Sequence, residues 1–240
     1  MKFKKKMVVA HRGASGYAHE NTLLAFQKAI DMKADCIETD IRRTKDGIIV
    51  LHHDRHINGK DLLALTFEEL KAEASKNGFQ VATLEEGLAY VKGKILIDIE
   101  FKEDGYVKEA IDIIHKYLRN DEFFIRSFLD EVLIQVKEID PRIITALLLG
   151  KSNPKHPFRT RLSELFPGCR LRRTKADYVS PYYRLLKFCF VWRMNLRKCS
   201  VSVWTVNDEN LIKKVIFRNK VDSVVTNYPD RALKYFQKDE

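Results

Sequence analysis

Two histidines follow apolar segments in the first quarter of the chain. His11 comes directly after the apolar stretch 7–10, and His53 comes two residues after the apolar stretch 48–51. An imidazole titrates near neutral pH, so one ring can accept a proton while a second donates one if their surroundings differ. This pairing indicates acid–base catalysis, as the cleavage of a phosphodiester requires. Arg12, next to His11, has planar donors that can bind two phosphate oxygens.

Pairs of carboxylates occur at alternating positions in strand-like segments. Glu38 and Asp40 are two residues apart, and Asp98 and Glu100 repeat that spacing further along the chain. Side chains two residues apart leave the same face of a strand, so each pair concentrates negative charge that a cation would relieve. Carboxylate oxygens suit Ca²⁺ or Mg²⁺ better than Zn²⁺. The pattern predicts a divalent-cation site and leaves the choice between Ca²⁺ and Mg²⁺ open.

Each motif alone has an ordinary structural explanation. A histidine at a strand end is commonly a hydrogen-bonded structural residue, and a Glu-x-Asp pair is commonly a solvated edge. The motifs occur together, in chain order, each at the carboxyl end of a strand-like segment. That combination favours a functional site.

Further motifs extend this series over nearly the whole chain. The full set is His11-Arg12-Gly13, Glu20-Asn21-Thr22, Glu38-x-Asp40, His53-Asp54, Glu100-x-Lys102, Ser127-Phe128, Trp204-Thr205-Val206-Asn207 and the segment 221–230. In types and order it resembles the glycerophosphodiester phosphodiesterases, which are TIM barrels. The chain departs from that family at Ser223, where glycine is usual, and at Asn227, where aspartate is frequent. These departures do not change the expected reaction class, but they do not indicate which head group is preferred.

The resemblance implies roles for individual residues. The implied acid–base pair is His11 and His53. The resemblance does not indicate which of the two rings acts first as the base. The implied ligands of the divalent cation are Glu38, Asp40 and Glu100. The implied substrate contacts are Arg12 and Lys102 for phosphate and Trp204 for the glycerol end, with supporting roles for Glu20, Asn21 and Asp54.

The implied reaction is hydrolysis of a small-molecule glycerophosphodiester to glycerol 3-phosphate and an alcohol. Two other functions stay open. One is a lysophospholipase D-like activity on lysophospholipids at a membrane surface. The other is a barrel that keeps its site but serves as a non-catalytic scaffold.

Apolar segments alternate with helical patterns along the chain, which predicts an α/β fold with a parallel sheet. Strands are predicted at 7–10, 36–41, 95–101, 123–127, 143–148, 177–180, 201–206 and 222–226, and helices at 22–33, 83–91, 106–118, 129–139, 182–196 and 210–220. We expect one domain, 1–240, folded as a TIM (β/α)8 barrel, since such barrels usually have about 250 residues. An open doubly wound sheet is the second choice, but it would separate Glu100 and Trp204 from His11.

The segment 44–76 interrupts the alternation of strand and helix. A turn at 45–47 predicts a hairpin that joins 41–43 to 48–51, and a helix is predicted at 67–76. We interpret the segment as a small cap inserted after the second strand. A solvated loop without a role fits less well, because His53 lies inside it.

Basic residues are concentrated in the connection 151–175, and the chain has a net charge of +10. Such a segment is either a solvated face or a site that recruits an anionic substrate or membrane surface. The aromatic helix predicted at 182–196 either packs on the barrel, the favoured interpretation, or makes transient contact with lipid head groups. Nucleic acid is not an expected partner, because the basic residues are not interleaved with an exposed aromatic platform.

The expected location is the cytoplasm, with membrane-peripheral binding as an option. The basic start of the chain is followed by four apolar residues before His11, which is too few for a secretory segment. The cysteines lack disulfide, redox or metal-binding spacing, as is typical of a reducing compartment. They are Cys36, Cys169, Cys189 and Cys199. The oligomeric state is not indicated.

Overall fold

Eight parallel strands close into a barrel in this computed structural model, which describes residues 5–152 and 154–236. The strands are β1 (Met7–His11), β2 (Cys36–Arg43), β3 (Ile49–Leu51), β4 (His56–Ile57), β5 (Lys60–Asp61), β6 (Leu96–Phe101), β7 (Phe123–Ser127), β8 (Thr145–Leu149), β9 (Tyr178–Pro181), β10 (Ser200–Val203) and β11 (Ser223–Thr226). The barrel order is β1, β11, β10, β9, β8, β7, β6, β2, and pairing of β1 with β2 closes it. The predicted TIM barrel is confirmed. The assignment of all of 1–240 to one domain stays a prediction.

Helices follow most barrel strands and cover the outside of the barrel. They are α1 (Leu23–Asp31), α2 (Phe67–Lys76), α3 (Leu84–Val91), α4 (Val107–Tyr117), α5 (Asp130–Ile139), α6 (Pro157–Leu165), α7 (Gly168–Thr174), α8 (Phe190–Leu196), α9 (Glu209–Lys213) and α10 (Pro229–Phe236). Side-chain caps start several of them. Thr83 and Glu86 form a reciprocal capping box at α3, and Asp208 accepts a hydrogen bond from the backbone N–H of Leu211 at α9.

The register of the strands places the polar residues of the site side by side. His11 on β1 is level with Glu38 on β2, and Asp40 on β2 is level with Glu100 on β6. Below them, an apolar cluster packs in the barrel interior beside the buried ion pair of Asp98 and Arg126. The buried members of that cluster are Met7, Val9, Cys36, Phe124, Ala146, Tyr178 and Val225. The barrel is therefore a packed support that presents polar groups at the carboxyl ends of its strands.

The inserted cap after β2 is present. β3 runs antiparallel to β2, and the turn between them contains Gly47 with a φ of +87°. This left-handed conformation is favourable for glycine and rare for other residues. The rest of the cap is the β4–β5 ribbon and α2, which pack together around Leu62 and Leu70.

The prediction of one helix at 182–196 is wrong. A 3-10 turn spans Tyr183–Leu185, and α8 starts only at Phe190. Phe188 and Cys189 between them have φ values of 50° and 53°. Residues with positive φ cannot continue a right-handed helix, so the chain is interrupted there. Within the described residues, no helix is long and apolar enough to cross a membrane.

Two other predicted segments also differ in detail. The basic connection 151–175 contains two short helices, α6 and α7, where no helix was predicted. The helix predicted at 210–220 is confirmed as α9, but it continues as a π-helical turn over Lys214–Arg218.

Candidate active site

His11 is the last residue of β1 and lies at the mouth of the barrel. Its Nδ1 is 2.7 Å from Asn227 Oδ1, in the loop after β11, and its Nε2 is 3.9 Å from Glu38 Oε2. Burial lowers the pKa of His11 to about 3, and the charge of Arg12 acts in the same direction. The ring is therefore neutral at pH 7 and can accept a proton.

Arg12 connects the first loop to β2. Its backbone N–H donates to Glu38 Oε2 at 3.0 Å, and its NH1 donates to Glu20 Oε1 at 2.7 Å. Its Nε lies 3.1 Å from Asp40 Oδ2. The residue has a φ of 56°, so the chain turns sharply as it leaves β1. Arg12 is thus fixed among carboxylates, with Glu20 supporting it from the loop.

Three buried carboxylates converge beside His11. One oxygen from each of Glu38, Asp40 and Glu100 lies within 4.8 Å of the other two. Burial raises the pKa of Glu38 and of Glu100. Burial acts on Asp40 in the same way, but the charges of Lys102 and Arg12 outweigh it and hold the pKa of Asp40 below its ordinary value. Asp40 therefore keeps its negative charge, whereas the charged forms of Glu38 and Glu100 are disfavoured unless positive charge lies beside them.

This donor set fits a hard divalent cation. Ligands of one such ion lie within about 5 Å of each other, because each is roughly 2.0 to 2.6 Å from the ion. The Lys102 ammonium lies 2.7 Å from Asp40 Oδ1 and 2.5 Å from Glu100 Oε1. Positive charge is thus already accommodated by these oxygens.

Asp98 is not part of this group, although it has the same spacing to Glu100 that Glu38 has to Asp40. Its carboxylate pairs with Arg126 and accepts a hydrogen bond from the Tyr178 hydroxyl at 2.9 Å. All three side chains are buried. Asp98 therefore belongs to an internal ion pair of the barrel.

Asn21 holds Asp40 in place. Its Nδ2 donates to Asp40 Oδ2 at 2.9 Å, and its Oδ1 accepts from the Asp40 backbone N–H at 3.1 Å and from the Thr39 hydroxyl at 2.8 Å. Asn21 is buried, so these bonds are shielded from water. The predicted supporting residue therefore contacts a predicted ligand directly.

His53 reaches the site from the loop that follows β3. Its Nδ1 lies 2.7 Å from Asp54 Oδ1, and its backbone carbonyl accepts from Arg42 Nε at 2.7 Å. Burial lowers the pKa of His53, and the charge of Lys102 adds to that shift. Asp54 is exposed and orients the ring from the solvent side.

A cavity of about 520 Å³ joins these groups. Its polar wall includes His11, Arg12, Glu38, His53, Glu100 and Lys102. Its apolar wall includes Phe128, Leu129, Leu148, Tyr182 and Trp204. The Trp204 indole N–H donates to the Ser180 carbonyl at 2.8 Å, which fixes the ring in that wall. Four predicted residues do not line the cavity but contact residues that do: Asp40, Glu20 and Asn21 contact Arg12, and Asp54 contacts His53.

Several residues at the site had no role predicted from the sequence. Arg42 lines the cavity and contacts the His53 loop, and Asn227 contacts His11. His11 ends β1 and Asn227 follows β11. Because these two strands pair, their neighbouring ends could have predicted the contact between the two residues. Arg161 also lines the cavity, and the buried Glu164 binds it at 2.5 Å. No sequence spacing connects these two residues to the other site residues.

Comparison with known proteins agrees with this geometry. The model of the glycerophosphoryl diester phosphodiesterase family matches residues 11–231. The chain belongs to this family. It is 32% identical over 243 residues to YhdW of Bacillus subtilis (strain 168), covering 95% of this chain and 96% of the relative. It is 30% identical over 254 residues to the glycerophosphodiester phosphodiesterase of the same organism, covering 93% of this chain and 84% of that protein.

Solved structures show the same fold. The Thermotoga maritima glycerophosphodiester phosphodiesterase superposes with a TM-score of 0.77 at 24% identity, covering 97% of this chain and 99% of that one. An Oleispira antarctica phosphodiesterase in complex with the product sn-glycerol-3-phosphate gives a TM-score of 0.80 at 21% identity, covering 95% of each chain. The predicted family, the predicted barrel and the predicted enzyme class, a glycerophosphodiester phosphodiesterase, are confirmed.

Proposed function

We propose that this family member hydrolyses glycerophosphodiesters to glycerol 3-phosphate and an alcohol, with a divalent cation and two histidines. The observation that carries this proposal is that His11, His53, Glu38 and Glu100 line one cavity. Asp40 belongs to the same carboxylate cluster as Glu38 and Glu100. The product complex of the Oleispira antarctica phosphodiesterase supports the same product for this chain.

Glu38, Asp40 and Glu100 are the residues that would hold the cation. When bound, the cation supplies positive charge that stabilises the negative charge developing around phosphorus. Ca²⁺ and Mg²⁺ both prefer such oxygen ligands, so activity must be compared with each of the two ions. Arg12 and Lys102 add fixed positive charge at the same wall, where they can donate to phosphate oxygens.

The two histidines divide the proton transfers. His11 is neutral, so it can take the proton of a glycerol hydroxyl as that oxygen attacks phosphorus. Burial lowers the pKa of His53 as well, but the Asp54 carboxylate at its Nδ1 opposes that shift, so His53 is the ring better placed to give a proton to the departing alcohol. Water then opens the resulting cyclic phosphate with the two roles reversed. Glycerol 3-phosphate is the product, and both histidines return to their starting states.

The apolar wall supports a second candidate substrate class. Phe128, Leu129, Leu148, Tyr182 and Trp204 offer a surface that could accept the hydrocarbon part of a lysophospholipid. The same polar groups would then perform a lysophospholipase D-like reaction. The preferred alcohol and the cytoplasmic location stay predictions.

The deciding experiment measures glycerol 3-phosphate released from glycerophosphocholine and glycerophosphoethanolamine, with Ca²⁺, Mg²⁺ or a chelator. We expect cation-dependent release that falls on the order of 10³-fold in Glu38→Ala, because charge neutralisation is lost. His11→Ala and His53→Ala should also lose activity, whereas His115→Ala, an exposed residue on α4, should not. Release that resists both the chelator and the site substitutions would refute the proposal. Turnover of lysophospholipids alone would select the second substrate class, and no turnover would favour a scaffold.

A further inference from the structure

The net positive charge of the chain comes from one segment. The range 151–198 contains 13 of the 43 lysines and arginines but only 2 of the 33 acids, so it accounts for all of the net charge of +10. Both of its acids have partners. Glu164 pairs with Arg161 at 2.5 Å, and Asp177 pairs with Lys137 at 2.7 Å. The remaining chain is close to neutral. Arg170 and Arg173 of the segment pair with Asp130 outside it, and the excess positive charge is left on the other basic residues of the segment.

The same segment exposes large apolar side chains. Of the twelve large apolar side chains that are exposed among the described residues, six lie in it. They are Phe158 (82% exposed), Leu162 (52%), Phe166 (51%), Phe188 (68%), Trp192 (61%) and Leu196 (67%). Single exposed apolar residues are ordinary, but a group of them marks an interaction site.

Four of these side chains lie on α6 and α8, which touch, and Phe166 and Phe188 lie just outside the ends of those helices. Phe158 and Leu162 are four residues apart on α6, and Trp192 and Leu196 are four apart on α8, so each pair shares a helix face. Arg193 of α8 links the helices at the end of α6. Its guanidinium donates to the Leu165 carbonyl at 2.7 Å and lies 4.4 Å from the centroid of the Phe166 ring. We name these six exposed apolar side chains, together with the exposed basic residues of the same segment such as Arg159 and Lys187, the α6–α8 surface.

The α6–α8 surface extends to the mouth of the active-site cavity. α6 carries Arg161, which lines that cavity together with Lys151. Arg161 also donates to the Lys151 carbonyl at 2.8 Å, so the helix and the loop after β8 are joined at this point. Whatever binds this surface is therefore held close to the entrance of the site.

We propose that the α6–α8 surface docks the protein on bilayers that contain anionic phospholipids. Aromatic and leucine side chains would enter the boundary between head groups and acyl chains, while lysines and arginines bind the anionic head groups. A second copy fits poorly, because two such cationic surfaces repel each other. Single-stranded nucleic acid fits poorly too, since Leu162 and Leu196 provide no ring for base stacking. Docking does not depend on the proposed catalysis.

The test is co-sedimentation of the whole protein with phosphatidylcholine vesicles and with vesicles that also contain phosphatidylglycerol. We expect binding to the anionic vesicles that weakens as salt is raised. Arg159→Gln and Lys187→Gln, at exposed positions, should each lower the partition coefficient about fivefold. The double variant Phe158→Ser/Trp192→Ser should lower it on the order of tenfold or more. Circular dichroism checks that each variant is folded.

Matched controls lie outside the surface. Leu24→Ser, at a site 62% exposed on α1, and Lys92→Gln, at an exposed site after α3, should leave binding unchanged. No binding to anionic vesicles, or equal losses in the controls, would overturn the proposal. So would a dimer in solution that the double variant dissociates, or oligonucleotide binding without vesicle binding. Glycerophosphodiester turnover without vesicle binding would leave the proposed function standing and remove this inference alone.

Discussion

The ammonium of Lys102 lies 2.7 Å from Asp40 Oδ1, among the carboxylates proposed to hold a divalent cation. It also lies 2.5 Å from Glu100 Oε1. Burial would lower the pKa of Lys102, but Glu100 and Asp40 outweigh it and raise that pKa, so the side chain is charged at pH 7. Two cations cannot share these oxygens closely without repulsion. We therefore expect cation binding to displace the ammonium into the cavity, where substrate phosphate would meet it.

Lys102→Met tests this competition. Without added cation, the variant should lose about 3 to 5 kcal/mol of stability, because a buried ion pair loses one partner. Added Ca²⁺ or Mg²⁺ should then raise its melting temperature more than that of the parent. Thermal unfolding in chelator and in a cation series measures both effects. Lys108→Met, which breaks an exposed pair with Asp112, is the control. Equal responses to cation in parent and Lys102→Met would contradict the competition.

The division of labour between the histidines predicts different responses to the leaving group. If His53 protonates the departing alcohol, His53→Ala should lower kcat/KM for glycerophosphocholine about 10² to 10⁴-fold. It should recover most of that loss with a p-nitrophenyl ester of glycerol 3-phosphate, because p-nitrophenolate leaves without a proton. His11→Ala should stay slow with both substrates. Ratios of kcat/KM for variant and parent measure this, and recovery in His11→Ala instead would reverse the assignment.

Much of the site could be predicted because strand geometry limits where its residues go. All strands of a parallel barrel end at one face, so His11 and Glu100 had to lie near each other. The alternation of side chains fixed the common face of Glu38 and Asp40. The same rule could not separate Asp98 from the ligand group, because the separation depends on Arg126 of the next strand. That partner is a tertiary contact, which spacing within one strand does not reveal.

The segment around α6 to α8 was the least predictable part of the fold. The pattern at 182–196 is compatible with a helix, but positive φ values at Phe188 and Cys189 interrupt it. Arg161 reaches the cavity, and Glu164 binds the loop after β8, because α6 folds back over that loop. Their positions depend on the path of short helices, for which local periodicity gives little information.

Glu164 should be essential for the order of that loop. The residue is 1% exposed, and its Oε1 accepts from the backbone N–H groups of Gly150 and Lys151 at 2.8 and 2.9 Å. Glu164→Ala leaves those donors without their acceptor, so we expect a loss of about 1 to 3 kcal/mol. Glu164→Gln should cost less, since its amide oxygen can still accept. Arg161→Gln should cost at most about 1 kcal/mol, because its side chain is 40% exposed. Urea unfolding compares the three, and equal losses would refute the role of the loop contacts.

The cap should loosen in acid through Glu73 on α2. Its carboxylate accepts from Lys60 and Lys76 at 2.7 Å and from Asn58 at 2.9 Å. These bonds, that of Lys60 first, lower the pKa of Glu73 from 4.5 to about 2. Because the folded-state pKa lies below the unfolded one, the stabilisation is complete above the unfolded value and is lost as the pH falls towards 2. Hydrogen exchange of the α2 amides should therefore accelerate over that range in the parent and much less in Glu73→Gln. Glu85→Gln, at an exposed site on α3, should behave as the parent, and an unchanged acid response in Glu73→Gln would assign the loosening to other groups.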